Sequence, residues 1–184
     1  ESIKTSKYLY LEGYLWDSEL AKQAFIQAAK IATESKTKII LSLSDSFCVD
    51  RHRESFLNLI NDYVDILFCN EEELKSLFKG IDFEKGKTEI KSLCELTAIT
   101  LGEKGSLIVS KDKTEFINPF LFGKAIDTTG AGDIFAGGFI HGLINNLSLN
   151  ECGKIGSICA GHIVTQLGSR SNINLKKLIG ENIS

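Results

Sequence analysis

Methionine is missing from the 184 residues, and proline and tryptophan occur once each. No apolar run approaches the roughly 20 residues of a membrane-spanning helix, and no signal peptide is expected. The formal charge is only -3, so there is no broad basic field of the kind that marks a nucleic-acid surface. We therefore expect neither nucleic acid nor membrane among the partners. The five cysteines, Cys48, Cys69, Cys94, Cys152 and Cys159, are odd in number and form no CxxC pair. Reduced, mostly buried thiols and a cytoplasmic location are expected. His52, His141 and His162 show no HxxxH or Cys/His ligand spacing, which argues against a zinc site. The one dense basic cluster, RHR at 51–53, follows Asp50 and reads as the solvated first turn of a helix capped by that aspartate. The chain opens at Glu1 and enters an apolar strand within ten residues, so we expect it to begin inside a longer protein.

What is present is a hydrophobic content of 43% and a charged content of 24%, enough for one sizeable core in a single domain over 1–184. Strand patterns at 8–11, 38–43 and 65–69 alternate with helical ones at 18–35, 53–63 and 71–78. A helix EIKSLCEL follows the charged segment GIDFEKGK, and the strands LTAITL and SLIVS are separated by GEKG. Such alternation implies an α/β fold, with a mostly parallel sheet, helices on both faces and ligands at the carboxyl ends of the strands. The last third changes character. A helix is expected over 131–144, and another over 149–166 behind a Ser148/Glu151 capping box.

Between a short strand end, KAI at 124–126, and the first of these helices runs Asp127-Thr-Thr-Gly-Ala-Gly-Asp133. Gly130, Ala131 and Gly132 lack bulk, so their N–H groups can approach a charged oxygen where the helix dipole adds about half a positive charge. Asp133, in the first turn, would stand beside a bound phosphate and could take a proton from an attacking hydroxyl. GAG alone could equally be a softened helix start, with Gly137, Gly138 and Gly142 letting the helix pack closely on the sheet. A dinucleotide loop would want GxGxxG after the first strand, and a Walker A loop would end in Gly-Lys-Ser/Thr; neither is present.

The complete string IDTTGAGDIFAGGF resembles the C-terminal signature of the ribokinase/PfkB carbohydrate kinase family. Asn70-Glu-Glu-Glu73 resembles its NxxE element, Thr100-Leu-Gly-Glu-Lys-Gly105 its TLGxxG turn, and CAGHIVTQLGSR its late nucleotide-binding helix and loop. SLSDSF, VDILFCNEEE and QLGSR look most like the adenosine-kinase-like branch. Taken alone, the NEEE stretch would be a solvated helix start and the TLGEKG turn a plain hairpin.

The resemblance implies a three-layer ribokinase-like fold and ATP-dependent phosphotransfer to a sugar or nucleoside hydroxyl. Asp133 matches the catalytic base, and Gly130, Ala131 and Gly132 match the anion hole. Glu73 matches an acid that helps to hold Mg2+, commonly through water, with its charge serving the metal and not the core. Asn70 matches a residue near the ATP phosphates. Thr100, Gly102 and Gly105 match the turn along the nucleotide. Ser157, Cys159, Ala160 and Gly168 fall where relatives enclose adenine, although small residues there also suit plain packing. Asp127 and Thr129 match a monovalent-cation (K+) site of some relatives. The acceptor-binding half and the small β lid are unmatched, so the chain resembles the ATP-side half and is expected to be inactive alone. Its open sheet edge would favour self-association, as in a homodimer. The alternatives are a non-catalytic nucleotide-binding fragment and a dehydrogenase-type dinucleotide domain.

Overall fold

The computed structural model describes residues 1–183. Six strands form one mostly parallel sheet in the order β1-β2-β3-β4-β5-β6: β1 (Tyr8–Glu12), β2 (Lys38–Ser42), β3 (Ile66–Asn70), β4 (Leu96–Thr100), β5 (Ser106–Ser110) and β6 (Thr114–Ile117). Each strand lies beside its sequence neighbour. β1 and β2 pair in parallel from Tyr8↔Lys38 to Glu12↔Ser42, and β2 continues onto β3 from Ile40↔Ile66. Crossover helices make this possible, because parallel neighbours cannot be joined by a tight turn. The helices are α1 (Ser2–Thr5), α2 (Glu19–Ser35), α3 (Ser46–Tyr63), α4 (Glu71–Leu77), α5 (Phe83–Leu93), α6 (Ala131–Ile144), α7 (Leu149–Ile163) and α8 (Leu175–Asn182). Among the described residues no helix is long and apolar enough to cross a membrane.

Two compact units share the chain: Glu1–Ile99 with Val109–Lys113, and Thr100–Ile108 with Thr114–Ser184. In the first, the fully buried runs Ile39–Leu41 and Leu67 fill the sheet interior, as expected for strands covered on both faces. Trp16, in a 3-10 turn spanning Gly13–Asp17, stacks on Phe56 of α3 at 5.4 Å and donates its indole N–H to Ser55 Oγ at 3.0 Å. That bond satisfies the one polar atom of a side chain that is 2% exposed.

Two helix starts differ from the sequence reading. α3 begins not after Asp50 but at Ser46, where Asp45 accepts from the amides of Phe47 (3.1 Å) and Cys48 (3.2 Å). The residues after that cap, Ser-Phe-Cys-Val, are indifferent helix formers, which hides the first turn from periodicity. RHR consequently lies inside the helix. Arg51 and His52 meet Asp17, while Arg53 pairs with Asp50 and donates to the Ser76 carbonyl at 2.7 Å. α5 starts at Phe83 under an Asp82 cap, inside the charged segment that the sequence reading sets before the helix EIKSLCEL. Gly86 is a poor helix former, yet it lies inside α5 beside Leu74 and Phe78, where an added Cβ would make ordinary contact at 3.7 to 3.9 Å.

In the second unit two of the three glycines that the alternative reading sets against the sheet, Gly138 and Gly142, line a helix–helix seam. A Cβ on Gly138 would stand 3.0 Å from the Ile155 carbonyl oxygen, and one on Gly142 would stand 3.0 Å from Cys152 Cα, both on α7. Gly156 reciprocates against the Phe135 carbonyl. Gly137 meets nothing and takes no part. α7 in turn lies on Ile108 and Ile117 through Gly153 and is capped by the Ser148/Glu151 box read from sequence. The segment KAI at 124–126 is not a strand. Ile126 is 63% exposed, and its amide donates to the Val164 carbonyl at 2.7 Å, so the loop leans on the end of α7. The sequence reading had missed β6, α1 and α8; both helices are short and bury no residue.

Candidate active site

The loop before α6 is shaped by one residue that must be glycine. Gly130 caps the helix with φ +75, a left-handed conformation, and a Cβ there would stand 2.5 Å from Ser169 Cβ. Having no side chain, it satisfies none of the helix's first N–H groups. The Ala131 amide turns back to the Thr128 carbonyl at 3.1 Å, whereas the amides of Gly132 and Asp133 have no partner among the described residues. Gly132 is exposed, and a Cβ on it would meet nothing within 4 Å. The Asp133 carboxylate is also exposed and unpaired. An open helix N-terminus, two free donors and a free carboxylate therefore share one turn.

Asp127 holds this loop in place. Its Oδ1 accepts from the Thr129 amide and its Oδ2 from the Gly168 amide, each at 2.9 Å. The Thr129 hydroxyl, followed by these amides, keeps the Asp127 carboxyl below the usual carboxylate range. Gly168 has φ +81, so the second loop too turns on a left-handed glycine. Ile126 and Leu167, 63% and 80% exposed, flank this tie and present apolar surface that the sequence reading did not single out. The signal was there, because bulky apolar residues beside loop glycines have no core to enter.

Thr100, Gly102 and Gly105 form the turn between β4 and β5, closed by Leu101 N–H on the Gly105 carbonyl at 2.8 Å. Gly105 has φ +106, and a Cβ there would run into the Ile117 carbonyl oxygen. Gly102, at φ +61, faces open space. Ser157 and Cys159, 6% and 2% exposed, lie inside the packing, with Cys159 Sγ against Gly138. Ala160, half-buried, is the first of that set to reach the surface.

In the first unit Asn70 and Glu73 form a capping box at the start of α4. Asn70 Oδ1 accepts from Glu73 N at 2.8 Å, while Glu73 accepts from Asn70 N (2.9 Å) and Nδ2 (2.8 Å). Glu73 is 5% exposed, and burial pushes its carboxyl up to about 7, against the lowering effect of the Asn70 amide. Asp45, Glu12 and Glu72 raise it further. Its carboxylate thus also has a part in the fold, as one half of the cap that starts α4.

A stability prediction follows from this sign. A carboxyl whose pKa is raised on folding contributes stability that is present below the usual 4.5 and lost as pH rises through about 7. The shift corresponds to about 3 kcal/mol. Glu73→Gln cannot ionise, so its unfolding free energy should gain on the parent by roughly that amount between pH 4.5 and 7.5. Urea denaturation across that range measures the difference; a pH-independent gap would show that Glu73 titrates alike in both states.

Comparison with known proteins supplies the context for this geometry. The model of the pfkB family carbohydrate kinases matches residues 1–176. A ribokinase of Lactococcus lactis is 30% identical over 166 residues, covering 90% of this chain and 50% of its own. A nucleoside kinase of Methanocaldococcus jannaschii is 32% identical over 121 residues, covering 66% and 39% respectively. The crystal structure of adenosine kinase from Sinorhizobium meliloti superposes with a TM-score of 0.95 at 38% identity, over 98% of this chain and 56% of that one. The chain thus spans about half the length of the curated relatives it matches, and its α/β architecture is ribokinase-like. On the family match over 1–176 and the kinase relatives at 30% identity or more, this chain belongs to the pfkB family of carbohydrate kinases.

Proposed function

We propose that this chain forms the phosphoryl-donor side of an enzyme that transfers the γ-phosphoryl group of ATP to a hydroxyl of a sugar or nucleoside. The observation that carries the reading is the uncapped start of α6, where the free amides of Gly132 and Asp133 sit beside the unpaired Asp133 carboxylate. Phosphoryl transfer asks the protein for position and charge stabilisation more than for covalent chemistry. The two amides, aided by the helix dipole, would hold the charge that develops on the transferred group. The Asp133 carboxylate would accept the proton of the attacking hydroxyl. Gly130 contributes the left-handed turn that aims those donors, and Ala131 contributes compactness, because its amide is already engaged.

When bound, Mg2+–ATP supplies the phosphoryl group and neutralises part of its charge. Each Glu73 oxygen accepts one hydrogen bond from Asn70 and keeps a lone pair, which fits holding an aqua ion through water. The Thr100–Gly105 turn, Ala160 and the Gly168 loop would flank the nucleotide, with Ile126 and Leu167 offering apolar surface to the base. Ser157 and Cys159 support that wall from within. Asp127 ties the loop by accepting one amide on each oxygen, and each oxygen keeps a further lone pair, so Asp127 with Thr129 would serve as the loop tie and could still face a monovalent cation such as K+.

The test is an assay with radiolabelled ATP against a panel of sugars and nucleosides, using the protein in which this chain is joined to an acceptor-binding half. Acceptor-dependent transfer that follows Asp133 is expected. Nucleotide binding without transfer to any acceptor would make the chain a binding module.

A further inference from the structure

A second cluster lies in the first unit, in residues that the phosphoryl chemistry does not use. Asp17 closes the 3-10 turn after β1, while Cys48 and His52 stand four residues apart on α3 and so share one face of the helix. His52 Nε2 is 2.8 Å from Asp17 Oδ1, and Cys48 Sγ is 3.9 Å from the same oxygen. The three candidate ligand atoms all lie within 4.8 Å of one another, the one such group of three or more among the described residues. Contrary to the sequence reading, a helical Cys/His ligand spacing is therefore present.

The geometry points to a site for one thiophilic divalent cation of the zinc class, bound by Asp17 Oδ1, Cys48 Sγ and His52 Nε2, with water completing a tetrahedron. Zinc–ligand bonds of about 2.0 to 2.3 Å place tetrahedral ligand atoms roughly 3.3 to 3.8 Å apart. The His52–Asp17 pair must open slightly to accept the ion, and the thiol must close on it. α3 departs from helical geometry at His52 (φ -123, ψ 24), so the residue that must move already sits at a bend. Asp17 is exposed and His52 lines an open groove of about 650 Å³, so solvent reaches two of the three ligands and can supply the fourth.

Two groups oppose binding. Arg51 forks onto Asp17, with Nε to Oδ1 at 3.2 Å and the other nitrogen to Oδ2 at 2.6 Å. After binding, its contact with Oδ2 becomes the outer hydrogen bond that orients a ligating carboxylate. Burial holds the Cys48 thiol up, so each ion bound displaces one thiol proton to solvent and affinity rises with pH. Thiolate and carboxylate together cancel the dication. The bound ion would staple the turn after β1 to α3, well away in sequence from Asp133.

Zinc titration of the reduced chain by calorimetry tests this, with Co2+ absorption as a second readout. One equivalent should bind, with release of about one proton and a thiolate-to-cobalt charge-transfer band. Cys48→Ser and His52→Ala should each weaken binding by about a hundredfold or more, because even outer-shell partners are worth 10 to 100-fold. His52 is only half-buried, so its variant stands in if Cys48→Ser fails to fold. Absence of stoichiometric binding, unchanged affinity in a folded variant, or cobalt bound without the thiolate band would each overturn the proposal.

Discussion

In the catalytically competent protein, Asp133→Asn should lower kcat by about a hundredfold or more and leave ATP affinity within a few-fold of the parent. The carboxylate is exposed and makes no hydrogen bond or ion pair, so no packing or capping contact is lost with it. The Asp133 amide stays in place as a donor, and the asparagine side chain removes the negative charge and with it the ability to take a proton. General-base assistance is typically worth roughly 10² to 10⁴ in rate. Steady-state kinetics with direct nucleotide binding measures both halves of the expectation. A variant turning over at the parental rate would reduce Asp133 to an exposed acid that happens to favour the helix dipole.

Gly132→Val should cut both ATP affinity and rate, the latter by about 10² to 10³, while the protein stays folded. The separation of effects is what the structure adds. A Cβ at 132 meets no atom within 4 Å, so the substitution overpacks nothing, and the residue is exposed at a helix start. Valine is the better helix former of the two, so the substitution carries no propensity cost to folding. What a branched side chain does obstruct is the approach of a phosphate to the two free amides. A normal melting curve with lost nucleotide binding is the expected pair of results. Parental binding and rate in the folded variant would remove the anion-hole reading.

Much of this was legible in the sequence because local signals agreed. The bounds of α6 and the Ser148/Glu151 box were read correctly, since apolar period and capping residues point the same way there. Where they diverged the reading slipped. Weak helix formers after Asp45 hid the start of α3, Gly86 hid the start of α5, and β6 has only four residues to show. The stretches proposed to face the nucleotide each lie along a single run of sequence, which is why the resemblance could be seen there. Which amides are free was not, because Thr128 turns back on Ala131 only in three dimensions. Asp127 and Gly168 are 41 residues apart and meet through the fold alone. Cys48 and His52 carried a readable spacing, but Asp17 joins them from 31 residues upstream of Cys48.

The two glycines that flank Ala131 answer to different kinds of selection. At Gly130 any side chain begins with a carbon driven into Ser169 from a left-handed backbone, so substitution is filtered by whether the protein accumulates at all. At Gly132 a side chain has room, and under the function proposed above only a lineage that depends on anion binding there has reason to refuse one. A descendant relieved of its catalytic duty would therefore hold the first position and drift at the second. The pair acts as a molecular record in which retirement of the site leaves its mark before decay of the fold.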